Sequence, residues 1–214
     1  MADFAGQRKT MVDNQIRTVD VTDPAVLDAF GTVPREIFVP AALRDFAYVD
    51  RPIAVAAGRF VPQPAPFAKL VQLAAPRAEE RVLLIGGTTG WPAAILAALC
   101  GHLTMVESDP TLAATATANL AGTAVSIVVG PLAAGAPAAG PFDLILVDGA
   151  VDAIPDALVD QLVVGGRIVA VVGDGLSAQA TLIAKSAIGA SQRTAFNLPA
   201  LPLAEFRRPK VFAL

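Results

Sequence analysis

From Arg81 onward the chain alternates short apolar runs with stretches of helical spacing, and few architectures accept that alternation. Residues 82–85, 103–106, 125–129, 142–147 and 163–172 are rich in Val, Ile and Leu on both sides of the pleat. Such runs suit strands buried on both faces, as in a parallel sheet. Between them, helical patterns run from Trp91-Pro92 to Leu99, from Asp109-Pro110 to Leu120 and over residues 155–162. Parallel strands need crossovers, so the expected architecture is α/β: a mostly parallel sheet with helices on both faces. Residues 194–214 are expected to add one or two antiparallel edge strands, kept short by Pro199, Pro202 and Pro209. The connection 130–141 holds only Gly, Pro, Leu and Ala and is expected to run over the surface.

The first 76 residues have another texture. Residues 4–18 show partial helical spacing through Met11, Val12 and Ile16. Asp23-Pro24 reads as an N-cap with proline at the first helical position, ahead of a helix over 25–30. Residues 33–58 are broken by Pro34, Pro40 and Pro52, which predicts short helices and a strand over 53–56. Pro62, Pro64 and Pro66 lead into a helix expected at 67–75. The chain therefore divides into an N-terminal helical cap with a substrate-side segment, 1–76, and a sheet-bearing unit, 77–214, packed as one compact body.

Charge narrows the function classes. The 16 Lys and Arg against 19 Asp and Glu leave a net charge of −3, which argues against a nucleic-acid binder. Apolar stretches such as residues 92–100 are far short of the roughly 20 residues that cross a bilayer, so no membrane partner is expected. Residues 1–10 carry Asp3, Arg8 and Lys9 and no apolar signal core. Cys100 is the only cysteine, which excludes an intramolecular disulfide and a cysteine-based metal cluster. A cytoplasmic protein without a metal is expected, with its oligomeric state left open.

The informative motif closes the first apolar run. Gly86-Gly87-Thr88-Thr89-Gly90 lets a backbone turn tightly ahead of a helix N-terminus, whose free N–H groups face a ligand. Glu107 ends the second run, 21 residues after Gly86, where a carboxylate can accept hydrogen bonds from both hydroxyls of a ribose. Loop and acid together suggest a nucleoside cofactor at the carboxyl ends of the strands. The loop lacks the G-x-G-x-x-G of dinucleotide folds and fits an S-adenosylmethionine (SAM) loop better, with Gly86 and Gly90 as its outer glycines. Gly86, Gly87, Gly90 and Glu107 are the candidate cofactor contacts, with Trp91 behind them. Asp148, at the end of the fourth strand, is a candidate on the catalytic side. His102, the only histidine, and Cys100 read as structural. Arg207, Arg208 and Lys210 read as a solvated basic cluster.

Longer segments carry a resemblance. They are Met11-Val12-Asp13-Asn14-Gln15-Ile16, Val33-Pro34-Arg35-Glu36-Ile37-Phe38-Val39-Pro40, Ala47-Tyr48-Val49-Asp50, Gln63-Pro64 and Ile154-Pro155-Asp156-Ala157-Leu158. With residues 82–91 and 142–147, they resemble the protein-L-isoaspartate O-methyltransferases almost from end to end. The resemblance implies a Rossmann-like class I SAM-dependent methyltransferase fold. It implies methyl transfer from SAM to a carboxylate of an L-isoaspartyl or D-aspartyl residue in a damaged protein. It puts Gln63 and Pro64 on the substrate side.

The departures from that family fall at the site. Leu84 replaces an acid that closes the first strand, Thr88 replaces the middle glycine, and Pro131 replaces an acid after the third strand. Phe60-Val61-Pro62 stands where the family has Thr-Ile-Ser, removing a hydroxyl that orients the substrate carboxylate. Thr88 is a poor fit if its backbone must take a positive φ. Two alternatives therefore stand beside the enzyme: a non-catalytic binding or scaffold protein of the same fold, and a methyltransferase with a changed small-molecule acceptor.

Overall fold

The computed structural model describes residues 2–208. Helix α1, Phe4–Met11, continues through a widened turn at Val12–Ile16 and a tight one at Arg17–Val19. Helix α2, Pro24–Thr32, begins as its sequence dictates: the Asp23 side chain accepts from the Ala25 and Val26 amides at 2.8 and 3.3 Å. Tight turns at Arg35–Ile37 and Ala41–Phe46 lead to a hairpin of β1, Ile53–Ala56, and β2, Arg59–Val61. Helix α3 spans Pro64–Ala74 and so starts earlier than expected. Pro64 and Pro66 lie in its first turn, where the missing N–H groups would have had no helical partner.

The βα series then runs β3 (Arg81–Ile85), α4 (Trp91–Ala97), β4 (His102–Glu107), α5 (Pro110–Asn119), β5 (Val125–Val129), β6 (Phe142–Val151), α6 (Asp156–Asp160) and β7 (Leu162–Val172). A hairpin of β8, Gln179–Ser186, and β9, Gly189–Asn197, completes a seven-stranded sheet of order β5-β4-β3-β6-β7-β8-β9. The first five are parallel; β8 and β9 are antiparallel. This hairpin corrects the expectation of edge strands within 194–214. Small apolar residues fall on both faces of β8, so it shows no alternation to read. Residues beyond β9 instead fold over the carboxyl end of β6, where the Ala150 amide donates to Leu201 O and the Leu203 amide to Ala150 O. Lys210 and the rest of the expected strand region past 208 lie outside the described residues.

Alternate residues of the strands feed two cores. Val82, Leu84, Leu144, Leu146 and Val169 pack with Trp91 and with α2 and α3. Leu83, Ile85, Ile145, Val147 and Ile168 pack with Leu132, Leu158, Leu203 and Phe206 on the other side. Helices cover the first face, whereas α6 and single turns cover the second. The connection 130–141 is not a surface strap alone: Leu132 and Ala136 are buried in the second core. Gln161 clamps it by accepting from the Ala136 amide at 2.8 Å and donating to Ala134 O at 2.9 Å.

Candidate functional site

The chain passes from β3 out to β5 and returns to β6 on the other side of β3. That reversal opens a crevice beyond the carboxyl ends of β3 and β6, where open α/β sheets bind ligands. The Gly86–Gly90 loop and Asp148 meet there: a Cβ on Gly86 would stand 3.4 Å from Asp148 O. Gly86 has φ 88 and Gly90 φ 103, so both glycines are required by backbone conformation. At Gly87 the constraint is packing, because a Cβ there would come within 2.4 Å of Met105 Sδ. Thr88 also takes a positive φ, 50°, the conformation anticipated as awkward for its β-branched side chain. The loop is anchored at both sides: Thr89 Oγ1 donates to Phe38 O, and Asn119 Nδ2 to Thr89 O.

Glu107 is fully shielded from solvent and fully engaged. Its Oε2 accepts from the Thr88 amide at 2.9 Å and its Oε1 from the Asp109 amide at 3.1 Å. Arg59, at the start of β2, lies across both oxygens at 2.7 and 2.6 Å. The same guanidinium donates to Gly86 O at 3.1 Å. Sequence reasoning missed Arg59. It follows Gly58 in a hairpin, reads as an exposed turn charge, and finds its carboxylate 48 residues later.

Beside this pair lies a cavity of about 350 Å³ with mostly apolar walls, among them Phe60, Pro62, Phe67, Leu176, Leu198 and Leu201. Among the described residues its titratable lining groups are Arg59 and Asp148, and Gln63 and Thr88 also line it. Among the described residues, Thr88 Oγ1 and Asp148 Oδ2 are buried here without a partner. Burial pushes the Asp148 carboxyl up to about 8, with Arg59 pulling it down and Glu107 up by smaller amounts. Asp148 is thus mainly neutral at pH 7 and presents a donor.

The other candidates fall elsewhere. Trp91 is not among the cavity's lining residues. It is fully buried in an aromatic cluster, 5.4 Å from Phe30 and 5.8 Å from Phe67 between ring centroids. The Arg35 guanidinium lies 4.9 Å over its ring. Pro64 is buried as the first residue of α3, and Leu84 lies in the core beneath Gly87. Pro131 precedes the Leu132 amide, which donates to Glu205 Oε2 at 2.8 Å. Asp152 turns to Arg207. His102 is exposed and Cys100 is buried. No helix among the described residues is long and apolar enough to cross a membrane.

Comparison with known proteins places these features in one family. The family model described as protein-L-isoaspartate(D-aspartate) O-methyltransferase matches residues 6–203. The chain is 43% identical over 168 residues to a protein-L-isoaspartate O-methyltransferase of Methylorubrum populi, covering 78% of this chain and 79% of that one. Against the protein of the same name from a Synechococcus species it is 39% identical over 210 residues, 94% of this chain and 86% of that one. Its fold matches the crystal structure of a Plasmodium falciparum protein described as a complex with S-adenosyl-L-homocysteine. That match has a TM-score of 0.79 and 15% identity, over 96% of this chain and 100% of that one.

Proposed function

Because the chain belongs to the protein-L-isoaspartate(D-aspartate) O-methyltransferase family, we infer that it is a SAM-dependent carboxyl methyltransferase acting on isoaspartyl residues of proteins or peptides. The observation that carries this reading is the Gly86–Gly90 loop tied by the Thr88 amide to buried Glu107, beside a cavity at the switch point of the sheet. The residues fit the cofactor. A carboxylate shut from solvent stands where ribose hydroxyls would donate to it, and Thr88 Oγ1 and Asp148 Oδ2 wait unpaired nearby. One condition attaches: Arg59 must leave Glu107 for a ribose to bind there.

SAM, when bound, supplies an electrophilic sulfonium methyl. The protein's work is then placement, because an acceptor carboxylate is already ionised at pH 7 and needs no general base. In this reading Glu107 holds the ribose, and the backbone of Gly86, Gly87 and Gly90 lines the cofactor, with Trp91 stiffening the loop from beneath. Gln63 and Pro64 shape the acceptor side, and neutral Asp148 donates to an acceptor oxygen. Phe60 and Pro62 give that side an apolar wall without a hydroxyl. We place the reaction in the cytoplasm, where a lone thiol such as Cys100 stays reduced, with no nucleic acid or membrane as partner.

The test is transfer of labelled methyl from SAM to an isoaspartyl peptide beside the same peptide with normal aspartate. Selective labelling of the isoaspartyl peptide is expected. Equal labelling of both, or of neither, would overturn the reading.

A further inference from the structure

Arg59 is the one cation lining the crevice among the described residues, and Glu107 holds it with both oxygens. Cofactor binding as inferred above requires the same oxygens. A ribose that takes them deprives this guanidinium, inside a mostly apolar cavity, of the carboxylate that it pairs with. A bare charge in such surroundings is strongly disfavoured and demands a counter-ion. The acceptor of the reaction is itself a carboxylate, and a guanidinium is shaped to hold one with two parallel hydrogen bonds.

We propose that Arg59 is the acceptor-binding residue of this enzyme: it pairs with Glu107, is released when the cofactor takes that carboxylate, and then pairs the isoaspartyl carboxylate. This rests on the function inferred above. Arg59 thereby takes over the work of the hydroxyl whose position Pro62 fills. The walls around it, Phe60, Pro62, Leu176 and Leu201, are apolar. The exchange has a thermodynamic signature. Breaking the ion pair lowers the cofactor's apparent affinity, and cofactor and acceptor must each raise the affinity of the other by the same factor.

Calorimetry with S-adenosylhomocysteine, with and without an isoaspartyl peptide, tests this on wild type, Arg59→Gln and Arg59→Lys. The same peptide with that carboxylate amidated is the control. Wild type should bind S-adenosylhomocysteine more tightly when the isoaspartyl peptide is present and be indifferent to the amide. Arg59→Gln should bind S-adenosylhomocysteine at least about tenfold tighter than wild type, because it has no ion pair to break. It should show no coupling and a raised peptide KM with kcat less affected. Arg59→Lys keeps the charge without the fork and should fall between the two; it also reads the exchange should the glutamine variant not fold. A damaged fold would weaken binding of S-adenosylhomocysteine, not tighten it. Equal affinities in wild type and both variants, or an unchanged peptide KM in Arg59→Gln, would overturn the proposal and leave the methyltransferase reading intact. No binding by any of the three proteins would overturn both.

Discussion

The Thr88 amide reaches Glu107 Oε2 at 2.9 Å only because Thr88 adopts a left-handed backbone, with φ 50. The loop must present its N–H to that carboxylate, and a β-branched residue bears the strain. A left-handed conformation costs a residue with a Cβ about 1–2 kcal/mol, while glycine brings an entropic cost of roughly 0.5–1 kcal/mol. Thr88→Gly should therefore raise stability slightly, by up to about 1 kcal/mol in urea titration. Thr88→Val keeps the strain and removes the unpartnered hydroxyl, so it should be neutral or mildly stabilising. A loss above about 1 kcal/mol in Thr88→Val would mean that the hydroxyl has a partner.

Asp148 gives the fold a pH dependence with a definite sign. Its carboxyl is raised from the ordinary 3.8 to about 8, so between those values the folded chain keeps a proton the unfolded chain has released. Stability contributed at this site falls as pH rises through that window and is lowest above about 8. Asp148→Asn removes the penalty. Its stability relative to wild type should improve by about 1.4 kcal/mol per pH unit within the window, before solvent in the cavity softens the effect. Urea midpoints at pH 5 and pH 8 measure this, and an advantage that does not grow with pH would refute it.

Gln161 should prove structural although it lies outside the site. It holds the connection 130–141 by two hydrogen bonds and ties it to α6 by a third, to Ala157 O at 2.7 Å. Gln161→Leu leaves a buried Ala136 amide unpaired, which costs about 1–3 kcal/mol. The loss should appear in the urea midpoint and as faster hydrogen exchange across residues 132–136, with β3 and β4 unaffected.

The βα series was legible because each buried run ends at a glycine or an acid, as 82–85 ends at Gly86 and 103–106 at Glu107. The strain at Thr88 was legible too, since a threonine stands where the resembling family has a glycine. Arg59 was not, because an ion pair between a hairpin and the end of a distant strand leaves no local pattern. Asp148 had position as its only signal; its altered acidity arises from three-dimensional burial. The β8–β9 hairpin escaped because alanine at positions 180 and 184 dilutes the two-residue period that marks a strand.

Arg35 links the substrate-side segment to the core, and its removal should be the costliest of these changes. It is fully buried and donates to the carbonyls of Ala47, Arg51 and Pro62, with Asp50 near enough to favour its charge. Burial lowers its pKa to about 10, so it remains charged at pH 7 with the Trp91 ring as part of its support. Pro62 has no N–H to hold its own place, so this guanidinium fixes the turn that presents Gln63 to the cavity. Arg35→Met fills similar volume and leaves three carbonyls unpaired, at about 1–3 kcal/mol for each that water cannot reach. Arg35→Lys keeps a charge but not the planar fork, and should recover less than half of the loss. Because Trp91 is the only tryptophan, its emission reports the contact directly. The emission spectrum should change in Arg35→Met, and methyl transfer should fall through a higher peptide KM with SAM binding little changed. A variant as stable as wild type, with unaltered emission, would show that the carbonyls find other donors and that Arg35 does not hold the turn.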